Sequence, residues 1–287
     1  MSRDVDETLE EARARNIRDA LDEDLGTGDR TGDLIDSARI AQAQVMVRES
    51  AVLCGQAWFE GCLRALDPHV HIDWEAAEGQ EMVPGQVVCR LRGRARALLS
   101  GERTALNFLQ LLSATATITR RHVQAIADVG SGSRRCEVLD TRKTLPGLRQ
   151  AQKYAVRVGG GANQRLALWA GILIKENHIA AAGGIAQVLD QARRLHPDVP
   201  LQIEVESLEQ LEQALACGAP SILLDNFSLA QMAQAVQVTA GRAVLEASGG
   251  VTLTGLRDIA ATGVDRISVG KLTKDVCAVD FSMRIVA

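Results

Sequence analysis

Arg142, Lys143, Arg165 and Lys175 lie in a basic island within an acidic chain. Between Arg134 and Lys175 there are nine Lys or Arg residues and two acids, Glu137 and Asp140, whereas the whole 287-residue chain has a formal net charge of −4. Localised positive charge of this kind implies a discrete anionic partner, not a nucleic acid. Guanidinium groups offer planar forks for carboxylates, and ammonium groups act as point charges. Glu204 and Asp225 supply hard oxygens for sugar hydroxyls or for Mg²⁺. Ser248, Gly249 and Gly250, leading into Thr-Leu-Thr as the expected start of a helix, suit a phosphate, and Gly270-Lys271 offers a second such turn. The implied ligands are a phosphorylated sugar, a divalent cation and a second substrate bearing carboxylates. Plainer readings exist residue by residue: Glu204 as a strand-end salt bridge, Gly249 and Gly250 as a tight left-handed turn.

These residues need elements that bring them together. Short apolar runs occur at Cys136–Leu139, Gly171–Ile174, Leu201–Val205, Ser221–Leu224, Ala243–Ala247 and Arg266–Val269. In turn they lead into Asp140 with Arg142 and Lys143, Lys175 with His178, Glu204, Asp225, Ser248-Gly249-Gly250, and Gly270-Lys271. Helical patterns separate the later runs, and Glu204, Asp225, Ala247 and Val269 are spaced by 21, 22 and 22 residues. Repeated βα units of this length demand a parallel sheet with right-handed crossovers. About six such strands can close, or nearly close, into an α/β barrel with its reactive groups at the carboxyl ends. An open doubly wound sheet is the alternative, but the glycines at 159–161 follow a helical pattern, which argues against a dinucleotide site.

The first part of the chain reads differently. An amphipathic helix is expected over Val5–Leu25, alternating strands at Ala43–Glu49, His69–Glu75 and Val87–Arg92, and a packed helix at Gly55–Leu66. His69 and His71 would share one face of their strand, a surface pair and not a metal site. Long helical patterning then runs from Ala95 to Ala127 and carries Arg103. Apolar content of 46% and charged content of 24% are those of a globular protein. No apolar run approaches the ~20 residues needed to span a bilayer. The polar opening residues do not resemble a signal peptide, and six cysteines without a CxxC pair point to reduced thiols in the cytoplasm.

Taken in order, EDLGTGDRTGDLI, GERTALNFLQ, DTRKTLPGLR, GGGANQR, LIKENHI, IEVE, LLDN, ASGG and ISVGKLT resemble the motifs of the quinolinate phosphoribosyltransferases over nearly the whole chain. The resemblance implies an N-terminal α/β sandwich, residues 1–113 joined by 275–287, and an open-sided α/β barrel over 114–274. It implies transfer of phosphoribosyl from phosphoribosyl pyrophosphate to quinolinate with Mg²⁺, giving nicotinate mononucleotide, pyrophosphate and CO₂. Arg142, Arg165 and Lys175 are then implied to hold the quinolinate carboxylates, with Gln164 and His178 beside them, and Lys143 to contact pyrophosphate. Glu204 and Asp225 would meet the ribose and metal, and Ser248, Gly249, Gly250, Gly270 and Lys271 the 5′-phosphate side. Arg103 is implied to enter a neighbouring subunit's site, making a cytoplasmic homodimer, or a higher assembly, with composite sites and no membrane partner. The chain departs from the family at Gln164, where His is usual. Alternatives are a same-fold paralogue with another acceptor, a Schiff-base aldolase built on Lys175, and a non-catalytic sugar-phosphate sensor.

Overall fold

A capping box starts the first helix. Thr8 Oγ1 accepts the Glu11 N–H at 3.2 Å, and Glu11 Oε2 accepts the Thr8 N–H at 2.8 Å, so α1 runs Leu9–Leu25. The structure, a computed structural model, describes residues 7–129 and 135–286. Residues 5 and 6 of the expected helix lie outside them. There follow β1 (Ile40–Val47), β2 (Ala51–Val52), α2 (Gln56–Leu66), β3 (His71–Trp74), β4 (Glu81–Met82), β5 (Val87–Arg94) and the long α3 (Ala95–Ala125). Because β3 begins at His71, the two histidines do not share a strand face, and His71 Nε2 lies 3.0 Å from Asp73 Oδ1 instead.

Strand–helix alternation takes over with β6 (Glu137–Leu139), α4 (Arg149–Val158), β7 (Ile172–Ile174), α5 (Glu176–Ala182), α6 (Ile185–Leu195) and β8 (Leu201–Val205). It continues with α7 (Leu208–Ala216), β9 (Ser221–Asp225), α8 (Leu229–Thr239), β10 (Val244–Ser248), α9 (Leu256–Ala261), β11 (Arg266–Ser268), α10 (Lys271–Lys274) and β12 (Phe281–Val286). Ser207 and Ser228 cap α7 and α8, each accepting a backbone N–H of the first turn.

The chain forms two compact units that interleave in sequence. The first comprises residues up to Arg120, Thr144–Gly160 and the chain from Thr273; the second comprises Arg121–Lys143 and Gly161–Leu272. Thr144–Gly160, with α4, packs within the first unit. In the first unit an antiparallel sheet ordered β12-β1-β5-β3 buries Val45, Val47, Cys89 and Leu91 against Trp58, Phe59, Leu63 and the α3 leucines 106, 109 and 112. In the second unit six strands pair in the order β6-β11-β10-β9-β8-β7, all parallel. The edge strands β6 and β7 do not pair with each other, so the barrel is open on that side. No described helix is long and apolar enough to cross a membrane.

Candidate active site

Asp140 pins two distant motifs together. Fully buried, it accepts the Gln164 N–H at Oδ1 (2.9 Å) and the Asn163 side-chain amide at Oδ2 (2.6 Å). A parallel bridge between Leu139 and Ala162 makes the same connection through the backbone. The end of β6, with Arg142 and Lys143, is thereby held against the loop that carries Arg165.

Arg165 lies against Gly171, whose carbonyl accepts its Nη1 at 2.8 Å; a Cβ at 171 would stand 3.3 Å from the Arg165 Cβ. Burial, and then the Arg142 guanidinium, pull the Arg165 pKa below its usual value. Arg142 Nε is buried with no partner, and neither arginine is ion-paired to a described carboxylate. Two neighbouring guanidinium groups without a carboxylate between them make a site for an anion.

Lys175 sits at the N-cap of α5, where its backbone N–H donates to His178 Nδ1 at 3.0 Å. His178 is thus engaged in starting the helix. The Lys175 ammonium reaches both oxygens of the buried Glu204 carboxylate, at 3.0 and 2.7 Å. Lys143 is exposed, and its stem lies beside Gly270, where a Cβ would meet Lys143 Cδ at 3.3 Å. Lys271 opens α10 and is exposed.

Register decides how the two acids relate. Glu204 pairs with Leu223, and Asp225 with Ser248. Side chains alternate along a strand, so Glu204, Asp225 and Ser248 share one face, with Asp225 two residues farther along its strand. Ala247 faces the other way, which corrects the equivalence that the 21- and 22-residue spacing suggests. The two carboxylates could contribute oxygens to Mg²⁺, but no described cluster of three or more His, Cys, Asp or Glu could enclose an ion. Such a donor pair fits Mg²⁺ carried largely by substrate phosphates and water.

The glycine turn after β10 is built around Asn226, the last residue of the LLDN motif. Asn226 has φ 56°, donates its N–H to the Ser248 carbonyl at 3.0 Å and its side-chain amide to Asp225 at 2.8 Å. Gly249 has φ +99°, and a Cβ there would fall 2.1 Å from Asn226 Oδ1. The expected helix start at Thr-Leu-Thr is not found, because α9 begins only at Leu256. Thr252 Oγ1 instead accepts the Gly255 N–H within a turn. The loop offers a backbone nest at Gly249 and Gly250, both with positive φ, in place of a helix dipole.

Gln164 is tied to both neighbours: its amide donates to Gln202 Oε1 at 2.7 Å and its oxygen accepts the Arg165 N–H at 2.6 Å. Arg103, in the first unit, is exposed on α3 and lines a cavity of about 490 Å³ with Asn16, Asp24, Thr104 and Asn107.

Comparison with known proteins agrees with this arrangement. The quinolinate phosphoribosyl transferase N-terminal domain matches residues 27–113, and the C-terminal domain of the same family matches 115–284. The chain is 40% identical to a probable nicotinate-nucleotide pyrophosphorylase (carboxylating) of Bacillus subtilis, over 92% of this chain and 90% of that protein. It is 36% identical to the human nicotinate-nucleotide pyrophosphorylase (carboxylating), over 88% and 85%. The solved nicotinate-nucleotide pyrophosphorylase of Francisella tularensis superposes with a TM-score of 0.92 at 40% identity, covering 97% of each chain. Motifs, sheet order and relatives over almost the full length converge on one assignment: the chain belongs to the quinolinate phosphoribosyl transferase family.

Proposed function

We propose that the protein joins quinolinate to phosphoribosyl pyrophosphate, releasing pyrophosphate and CO₂ and forming nicotinate mononucleotide in NAD biosynthesis. The observation that carries this reading is the pair of neighbouring guanidinium groups, Arg142 and Arg165, without a described carboxylate partner. Quinolinate is a rigid dicarboxylate, and planar forks match it better than point charges do. Lys175 completes the carboxylate site by exchanging part of its contact with Glu204 for substrate.

Glu204 and Asp225 accept from the ribose hydroxyls and are the residues that would hold Mg²⁺. When bound, Mg²⁺ neutralises charge on the pyrophosphate. Lys143 lies where departing phosphate oxygens can be met, and the Gly249–Gly250 nest and Gly270 receive the 5′-phosphate. The quinolinate nitrogen attacks the anomeric carbon as the bond to pyrophosphate oxygen breaks. The ring nitrogen is then cationic, so the carbon beside it can keep the electron pair left when its carboxylate departs as CO₂. A proton from solvent completes the product. The chain's residues bind, orient and balance charge, and no covalent nucleophile is needed. Arg103, exposed beside a cavity, serves the site of a second subunit in a cytoplasmic homodimer.

Incubation with quinolinate, phosphoribosyl pyrophosphate and Mg²⁺ tests the reading. Equal molar release of CO₂ and pyrophosphate is expected, and release of pyrophosphate without CO₂ would assign another acceptor.

A further inference from the structure

Inside the second unit, a chain of hydrogen bonds leads from the middle of β10 to the backbone of Arg165. Glu246 is 1% exposed. Its Oε2 accepts Gln202 Nε2 at 2.9 Å, while its Oε1 is buried with no partner, at the wall of a cavity of about 280 Å³ that Gln202, Gln164 and Arg165 also line. Gln202 Oε1 accepts Gln164 Nε2 at 2.7 Å, and Gln164 Oε1 accepts the Arg165 N–H at 2.6 Å.

The chain has a direction that is set at both ends, by the Glu246 carboxylate, which accepts, and by the Arg165 N–H, which donates. A carboxylate accepts and does not donate, whereas each glutamine amide could point either way. Glu246 turns the Gln202 NH₂ toward itself, so the Gln202 carbonyl oxygen faces Gln164. That oxygen in turn draws the Gln164 NH₂, leaving the Gln164 oxygen for the Arg165 N–H. Ser221 Oγ, 3.1 Å from Gln202 Nε2, supports the same orientation but can also donate, so it does not set it. We infer that Glu246 is a positioning residue, acting through Gln202 and Gln164 on the backbone of Arg165 and thus on the dicarboxylate site. Nothing in the chain requires Glu246 to touch substrate. The inference rests on the proposed function for its kinetic consequence, but not for the hydrogen-bond relay itself.

A histidine at 164 can satisfy the same two neighbours, with one ring nitrogen donating to Gln202 and the other accepting. Leucine can satisfy neither. This supplies a rescue test.

The test uses the full-length protein with Gln202→Met, which keeps side-chain length and cuts both bonds, and Glu246→Gln, which keeps shape and removes the acceptor-only group that orders Gln202. Gln202→Met should raise the quinolinate KM about 5- to 10-fold, the worth of one such hydrogen bond, with kcat and the phosphoribosyl pyrophosphate KM changed less than about 2-fold. Glu246→Gln should act in the same sense and more weakly. Gln202→Met combined with Gln164→Leu should be no worse than Gln164→Leu alone, and Gln164→His should raise the quinolinate KM less than Gln164→Leu does. Additive losses, or an equal rise in both KM values, overturn the relay.

Selective ¹⁵N-arginine labelling gives a readout that does not depend on turnover. The Arg165 amide resonance, assigned by its disappearance in Arg165→Lys, should move in both Gln202→Met and Glu246→Gln. An Arg165 amide unmoved in the two folded variants overturns the inference even if quinolinate is a substrate. A moved amide in a protein that does not turn over quinolinate upholds the relay and refutes the proposed function instead. Should Gln202→Met fail to fold, the isosteric Glu246→Gln decides by the same amide shift.

Discussion

Lys175 Nζ bridges both carboxylate oxygens of Glu204, at 3.0 and 2.7 Å, from the neighbouring strand end. The ammonium proposed to meet the quinolinate carboxylate is therefore also what compensates a carboxylate only 9% exposed. Lys175→Ala should lower stability by about 1–2 kcal/mol, because it strands that acceptor. Adding Glu204→Ala should restore part of the loss, as thermal unfolding of the single and double variants will measure. Purely additive losses would mean that the pair is not coupled.

Arg142→Ala and Arg165→Ala should each weaken quinolinate binding by roughly 2–5 kcal/mol, the cost of removing one side of a charge-assisted pair. Phosphoribosyl pyrophosphate binding should change far less. Calorimetry with each substrate separately decides the point, and equal weakening of both would remove the arginines from the carboxylate site.

Gly249→Ala tests the nest. The new Cβ would meet Asn226 Oδ1 at 2.1 Å and the Asn226 backbone nitrogen at 3.0 Å, with φ at +99°. About 1–3 kcal/mol of strain is expected from that conformation alone. The phosphoribosyl pyrophosphate KM should rise with it, while quinolinate affinity measured alone holds. A simultaneous Asn226→Ala should relieve part of the clash but leave the cost of positive φ.

Arg103→Ala and Lys143→Ala proteins, each inactive alone, should regain activity when mixed and allowed to exchange subunits. In a symmetric dimer with two composite sites, one intact site forms per mixed pair, so recovery should approach about half of wild type per heterodimer. No recovery after verified exchange would put Arg103 to work within its own chain.

Asp29 anchors the loop before β1, and its carboxyl is held below the usual aspartate range. The Ser100 hydroxyl is the largest cause, followed by the Gly32 N–H, with the Thr31 N–H and Arg96 adding less. A carboxyl with a depressed folded-state pKa contributes stability above its unfolded pKa and loses it as pH falls through the folded value. Ser100→Ala should therefore raise the Asp29 pKa and shift acid unfolding toward higher pH. Titration of the Asp29 side chain by NMR, with the variant alongside, checks both the sign and the cause.

Much of this was legible in the sequence because strands and their polar ends are local. Leu201–Val205 and the α8 helix coincide with the apolar run and the helical pattern that the residues suggest. Register was not legible, since the spacing of Glu204, Asp225 and Ala247 fixes loop length but not which residues lie side by side. Gln202 and Glu246 escaped, as did the partners of Asp140, for a related reason: those partners lie on other strands or loops. A signal was nevertheless present. Gln202 with Glu204, and Glu246 with Ser248, are polar residues two apart in strands expected to be apolar throughout, and that alternation marks an inward polar face. The sequence around Ser248 also overstated the helix, because Thr-Leu-Thr can cap or turn and only the backbone chooses.

β12 lies beside β1 in the first sheet, with Gln42 opposite Val286. During synthesis that neighbour emerges only after every strand of the second unit has been made. Until then β1 offers one unpaired edge, with Ala43, Val45 and Val47 alternating along it, and such an edge invites pairing with other chains. A sheet begun at β1 is thus completed only when β12 arrives. Nascent chains stalled before Phe281 should accordingly be the form most prone to aggregate.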